Sequence, residues 1–85
     1  MDKLTEVIEF IQELAEDRRV PRNIRALIEE ASTSLKDEKQ DMVVKLSTAI
    51  SLLDESSNDP NIPSHTRTQI WNIVSMLESL QSEAE

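Results

Sequence analysis

The sequence predicts an all-α protein, a four-helix antiparallel up-and-down bundle made of two duplicated αα-hairpins. Three observations predict this fold class. Apolar residues recur every three or four positions in four separate segments, as on the buried face of a helix. The 85 residues include no glycine, on which tight β-hairpin turns depend. The chain also repeats itself after 42 residues, which makes each half one helical hairpin.

The four apolar stripes predict helices at residues 2–16, 21–36, 38–57 and 63–82. The predicted core consists of the apolar residues at helical spacing in these segments: Leu4, Val7, Ile8, Ile11, Leu14, Ala15, Ile24, Leu27, Ile28, Ala31, Leu35, Val43, Leu46, Ala49, Ile50, Leu53, Ile70, Ile73, Val74, Leu77 and Leu80. Phe10, Leu52 and Met76 widen their stripes, which is more typical of a broad bundle core than of a partner surface.

Each break between stripes has a local cause. Pro21 and Pro63 are expected at the first position of the second and fourth helices, where the missing N–H costs nothing. Asp37 with Gln40 resembles a capping box at the start of the third helix. Pro60, among Asn and Asp residues, indicates a turn before the fourth helix.

The repeat aligns residues 3–35 with residues 45–77, and nine of the 33 aligned positions are identical. One hairpin cannot cover its own apolar stripe, so the hairpins at 2–36 and 38–82 are expected to pack into a single domain over 1–85. The alternative is a stacked pair of HEAT-like units, although such arrays usually need about three repeats.

Composition excludes several classes of function. Without glycine the chain can form no phosphate-binding loop, dinucleotide-binding turn or EF-hand loop. Without cysteine it has no disulfide, thiolate metal site or thiol catalyst. The acidic net charge of −8 makes nucleic-acid binding and anionic-membrane binding unlikely. No long apolar run or signal peptide is visible, so a cytoplasmic location is expected.

The pairs Asp17/Arg25 and Asp59/Arg67 occupy the same places in both hairpins. We interpret them as structural turn pairs in which each Asp holds the Arg of the following helix, with similar contributions to stability. The alternative makes the two guanidinium groups ligand-binding groups. Duplication favours the structural interpretation, because the shared feature of the two halves is the turn itself.

His65 is the only histidine, and no nucleophile or orienting carboxylate stands at a spacing that would make it a general base. The sequence also lacks two or three further ligands at helical spacing for a metal. We therefore predict no catalytic residue, no metal, no cofactor and no enzymatic activity. A hydrolase that uses His65 is a remote alternative.

Differences between the halves indicate where function resides. His65, Thr68 and Trp71 replace Asn23, Ala26 and Glu29 of the first hairpin. An aromatic anchor beside polar groups is typical of a protein interface. We predict a partner surface of His65, Thr68 and Trp71 with Arg67 behind them, which binds another protein or a second copy of the chain. For Trp71 taken alone, an edge position of the core is the more typical role, and an interface anchor is the alternative.

A second functional hypothesis rests on the end of the bundle that carries the first and third connections. Basic residues and the N-termini of the second and fourth helices meet there, which would suit RNA or another phosphate-bearing ligand. The basic residues of this end are Arg18, Arg19, Arg22, Arg25, His65 and Arg67. Neighbouring carboxylates, among them Asp54 and Glu55, weaken the hypothesis.

The second half also carries a specific resemblance. Residues 47–50 (STAI), 53–55 (LDE), 58–61 (NDPN), Pro63 and 65–75 (HTRTQIWNIVS) resemble uncharacterised protein family 0147, a small archaeal family, and the first half fits at 20–25 (VPRNIR). The resemblance covers nearly the whole chain. It implies an archaeal, cytoplasmic, all-helical four-helix protein and no particular activity.

Overall fold

The computed structural model describes residues 2–84 and contains four helices: α1 (Lys3–Ala15), α2 (Arg22–Lys36), α3 (Met42–Ser57) and α4 (Ser64–Ala84). Each helix packs against the next, and α1 also packs against α4. Within residues 2–84, α1 does not pack against α3, nor α2 against α4. Stacked hairpins would place these equivalent helices side by side. The arrangement is therefore a closed ring of four helices, as predicted, and not a HEAT-like stack.

The core runs through the middle of this ring and draws on all four helices. Its fully buried residues include Ile11, Ile28, Leu46 and Ile70. Val20 and Ile62, which precede the two prolines, are also buried and close one end of the core. The predicted stripes are confirmed as the buried faces, although the edge residues Leu4, Ile8, Leu27, Val43, Ile50 and Leu80 are only partly buried.

Helix α3 begins at Met42, four residues later than predicted. Asp37 has an extended backbone that ends α2, and its carboxylate accepts from the Lys39 N–H and the Gln40 amide, both at 3.0 Å. Asp37 and Gln40 therefore build a turn, and the predicted capping box is wrong. Asp41 is the actual N-cap, since its carboxylate accepts from the Val43 N–H at 3.0 Å.

The two prolines lie one position earlier than predicted, at the N-cap and not at the first helical residue. Pro21 has extended backbone angles (φ −53°, ψ 146°), and its carbonyl accepts from the N–H groups of Ile24 and Arg25. The Pro63 carbonyl accepts likewise from Thr66 and Arg67. A proline side chain offers no capping oxygen, so each proline contributes its fixed φ angle and its carbonyl alone.

The two loops with these prolines have equal lengths and share one turn. The Asp17 carboxylate accepts from the Arg19 N–H at 3.0 Å, and the Asp59 carboxylate accepts from the Asn61 N–H at 2.8 Å. Such Asx turns reverse the chain with ordinary backbone angles. No residue in the described range 2–84 has a positive φ angle, which explains how the chain folds without glycine.

We predict that Ile28→Ala or Ile70→Ala lowers the free energy of unfolding by ~2–5 kcal/mol, because both side chains are completely buried. Chemical denaturation followed by circular dichroism measures this loss. Val44→Ala is the matched control, since Val44 is 54% exposed and should change stability by less than ~0.5 kcal/mol. Equal effects at all three positions would show that the buried faces are misassigned.

Candidate functional site

Arg67 closes the carboxyl end of α3 from the first turn of α4. Its Nε donates to the Ser57 carbonyl and its Nη2 to the Asp59 carbonyl, each at 3.0 Å. A cation placed there meets both the unpaired carbonyls and the negative end of the helix dipole. Arg67 is thus a structural residue. It is bound to the backbone of its loop and not to the Asp59 carboxylate, so this predicted pair is corrected.

The equivalent pair in the first hairpin does not form. The Asp17 carboxylate binds Arg19, with Oδ1 3.0 Å from Nε and Oδ2 2.9 Å from Nη2. The Asp17 carbonyl accepts from the Val20 N–H, and within residues 2–84 neither this carbonyl nor the Asp17 carboxylate accepts from Arg25. The buried Nε of Arg25 has no hydrogen-bond partner in the described chain. Asp17 and Arg25 are therefore not a turn pair, and the two hairpins differ in how they hold their arginines.

Asp17 is the carboxylate that its surroundings alter most clearly. Hydrogen bonds from the Arg19 side chain and backbone lower the pKa of Asp17 from 3.8 to about 2, and the positive charge of His65 adds to the effect. The same pairing raises the pKa of Arg19. The Asp17 carboxylate and the Arg19 guanidinium group are therefore both charged at neutral pH, and their charges largely cancel at this end of the bundle.

His65, Thr68 and Trp71 are all exposed on α4, and Trp71 is 55% exposed. Side chains three residues apart are neighbours on a helix, so the three form one oblique stripe across the outer surface. The Thr68 hydroxyl donates to the Ser64 carbonyl at 3.3 Å. Trp71 is not an edge residue of the core. We call His65, Thr68 and Trp71 the α4 stripe. Arg67 does not belong to it, because its guanidinium group is bound to carbonyl groups of the loop.

The basic end of the bundle offers fewer available cations than the sequence suggests. Arg19 is paired with Asp17, and Arg67 is bound to carbonyl groups. Arg18 and Arg22 are exposed and lie in no ion pair within residues 2–84, but Asp54 and Glu55 are exposed as well.

A groove between α1 and α4 is the feature that sequence reasoning missed. These two helices make the sparsest contact of the four neighbouring pairs. Two openings of about 410 and 250 Å³ lie between them, and Met76 lines both. We define the α1–α4 groove by its apolar lining residues, which are Val7, Phe10, Leu14, Ile73, Met76 and Leu80. Phe10 is 49% exposed, so the expectation that it broadens the core is wrong. Its position at the edge of the apolar stripe was the available signal.

Within the described chain, no three His, Asp or Glu side chains are grouped so that they could share a metal ion. None of the four helices found in residues 2–84 combines the length and the apolar composition needed to cross a membrane.

We predict that Arg67→Ala lowers the free energy of unfolding by ~1.5–3 kcal/mol, because it removes two charge-assisted hydrogen bonds to carbonyl groups. Arg25→Ala should cost less than ~1 kcal/mol, since Arg25 lacks such bonds. Arg67→Lys should recover only part of the loss, because an ammonium group cannot reproduce the planar fork. Urea unfolding measures all three, and equal losses at Arg25 and Arg67 would contradict the asymmetry.

We also predict that the Asp17 carboxyl titrates at about pH 2 by NMR, and that Arg19→Gln raises this pKa towards 3.8. A folded-state pKa below the unfolded value means that the unfolded chain takes up the proton first as the pH falls. The stabilisation from Asp17 is thus complete above pH ~4 and is lost between pH ~4 and ~2. Asp17→Asn should flatten the pH dependence of stability in that window. An unshifted Asp17 in the wild-type protein would refute the pairing.

Comparison with known proteins agrees with this architecture. A relative from Methanothermobacter thermautotrophicus, named a UPF0147 protein, is 51% identical over 75 residues, which are 88% of this chain and 74% of the relative. A crystal structure of an uncharacterised UPF0147 protein from Thermoplasma acidophilum is 37% identical, covers 92% of each chain and has a TM-score of 0.87.

A second crystal structure, of an unknown function protein MMP1188, has the same TM-score of 0.87 at 51% identity and covers 92% of this chain and 89% of that one. Residues 1–80 match the family UPF0147 itself. The resemblance inferred from the motifs of the second half is confirmed, and the chain belongs to UPF0147, an uncharacterised protein family with members in archaea.

Proposed function

We propose that this protein is a small, non-enzymatic interaction domain that binds another protein in the cytoplasm through the α4 stripe. The observation that carries the proposal is the 55% exposure of Trp71, the only tryptophan. Tryptophan is enriched among the residues that dominate binding energy at interfaces. Covering its large apolar ring with a partner lowers the free energy of the complex.

The core does not need Trp71. Ile70, Ile73 and Leu77 already fill the inner face of α4 and are almost completely buried. His65 and Thr68 supply the polar groups that surround an aromatic anchor in typical interfaces. The arrangement therefore suits recognition at the surface better than a role in stability.

The surroundings of His65 favour a non-enzymatic role. A catalytic imidazole needs a carboxylate or carbonyl to orient it and a nucleophile within hydrogen-bond reach. The His65 side chain is exposed and makes no hydrogen bond within residues 2–84, and the oxygens of the Asp17 carboxylate, whose pKa its charge helps to lower, are already bound to Arg19. The cytoplasmic location is supported by the lack of cysteine, because small secreted domains usually rely on disulfides.

The second candidate function is contact with RNA or another phosphate-bearing ligand at the basic end. The exposed Arg18 and Arg22 beside the N-terminus of α2 favour it. The bound guanidinium groups of Arg19 and Arg67 and the net charge of −8 count against it. Protein binding through an apolar ring should persist in salt, whereas binding to phosphates should weaken steeply.

We predict that Trp71→Ala weakens binding to the principal protein partner at least about tenfold, or about 1.4 kcal/mol, and leaves the fold intact. The partner is first purified from native extract on the wild-type protein, and its Kd is then measured by calorimetry for wild type and variant. Val44→Ala is the control, because it removes an equally exposed apolar side chain on α3.

Three results would count against the proposal. The first is unchanged affinity in Trp71→Ala. The second is an equal loss in Val44→Ala. The third is binding that disappears with added salt or with Arg18→Ala and Arg22→Ala, which would favour the phosphate-bearing ligand.

A further inference from the structure

We propose that the α1–α4 groove is a second binding site, which receives a basic amphipathic helix of a partner protein. This inference goes beyond the proposed function, because Trp71, the anchor of the α4 stripe, lies on a different face of α4. On a helix with 100° per residue, Met76 in the groove and Trp71 in the stripe point about 140° apart around α4. One partner helix cannot cover both.

The groove is apolar along its floor. Leu14 and Ile73 are buried beneath it, while Phe10 remains 49% exposed and Met76 is half-buried. The two openings follow one another along the same pair of helices, and Met76 lines both. Methionine adapts its shape to an incoming side chain, and a half-exposed Phe offers an anchor that becomes buried on binding.

The dimensions of the groove suit a short helix. It extends from Lys3 and Leu80 at one end to Asp17 and Gln69 at the other. At 1.5 Å per residue, these segments of α1 and α4 are about 17–21 Å long. A partner helix of about 11–14 residues has this length and places anchors at i, i+3 or i+4, and i+7 along one face.

The charges at the rim determine the chemistry of the partner. The α1 rim carries Glu6 and Glu13, which lie in no ion pair within residues 2–84, and Asp17, whose charge Arg19 largely cancels. Its one cation, Lys3, lies 3.5 Å from Glu83. The α4 rim consists of the neutral residues Gln69, Asn72 and Ser79. The complementary helix therefore carries Lys or Arg along the flank that faces α1 and uncharged residues along the flank that faces α4.

A second copy of this chain is a poor occupant by the same criterion. The chain has a net charge of −8, and in α1, α2 and α3 the exposed residues beside the apolar stripes include many carboxylates. Two such surfaces would repel each other across the acidic rim. The acidic edge thus selects against self-association and for a basic partner.

The test uses the whole protein and a synthetic probe. The probe is a labelled peptide of about 14 residues with Leu at i, i+3, i+4 and i+7 and Lys on one flank. Its counterpart carries Glu in place of Lys. Fluorescence anisotropy gives the Kd, and circular dichroism shows whether the Lys peptide becomes helical on binding, since a peptide of this length is mostly unfolded alone.

We expect the Lys peptide to bind and the Glu peptide to bind at least about tenfold more weakly. Phe10→Ala should weaken the Lys peptide at least about tenfold, and Glu13→Gln by about two- to fivefold. Val44→Ala and Glu30→Gln are the matched controls, because both positions are exposed and lie outside the groove. Neither control should change the Kd.

NMR keeps the test informative if Phe10→Ala affects the fold. In the wild-type protein the Lys peptide should shift the amide signals of Gln69, Asn72 and Ser79 and leave the Trp71 indole signal unchanged. Trp71→Ala should bind the peptide normally, so the groove is tested separately from the α4 stripe.

Four outcomes would overturn the inference. Equal binding of the Glu peptide would remove the charge argument. An equal loss in Glu30→Gln and Glu13→Gln would indicate a diffuse effect of the net charge. Shifts confined to residues outside the groove would place the peptide elsewhere. Concentration-dependent dimerisation that Phe10→Ala abolishes would make a second copy the occupant.

Discussion

The closure of helix ends without glycine is the constraint on which this bundle depends. The last carbonyls of a helix need donors, and glycine in a left-handed conformation usually allows the chain to supply them. Here Arg67 donates to the carbonyls of Ser57 and Asp59 at the end of α3, and the buried Lys45 donates to the Asp37 carbonyl at the end of α2. Each is the fourth residue of its own helix. These bonds tie each of two helices to the one that follows it.

Aspartate carboxylates in the loops contribute to the same chain reversals. Asp17, Asp37 and Asp59 each accept from the N–H two residues later, which reverses the chain with ordinary backbone angles. The acidic and basic residues of the loops thus have structural roles, which the net charge of the chain does not reveal. The surplus of carboxylates remains on the outer surface, where Glu6 and Glu13 border the groove.

Both candidate binding surfaces lie on α4 because of the connectivity of the ring. Helices α1 and α4 are the only neighbours that no loop joins, and their contact is the sparsest. Phe10 therefore remains half-exposed beside Met76 on one side of α4. Trp71 lies around the helix on the outer surface, where the complete core has no place for it. The surface around Trp71 is the proposed site for a protein partner, and the groove beside Phe10 is the proposed site for a basic helix.

The sequence by itself determined the number of helices and their buried faces, and it favoured an antiparallel bundle over stacked hairpins, because a 3.6-residue period and short connections are local properties of the chain. It also indicated that Trp71 and His65 differ from their counterparts in the first half. Only the tertiary structure decided the start of α3, the unequal partners of Arg25 and Arg67, and the open groove beside Phe10. The physical reason is that several nearby groups compete for each acceptor, so sequence spacing does not decide which of them reaches it, and that the seam between α1 and α4 joins segments distant in sequence. The Asp17 carbonyl accepts from the Val20 N–H, whereas the Asp59 carbonyl accepts from Arg67, and the groove between α1 and α4 stays open. Each of these outcomes depends on how whole helices pack.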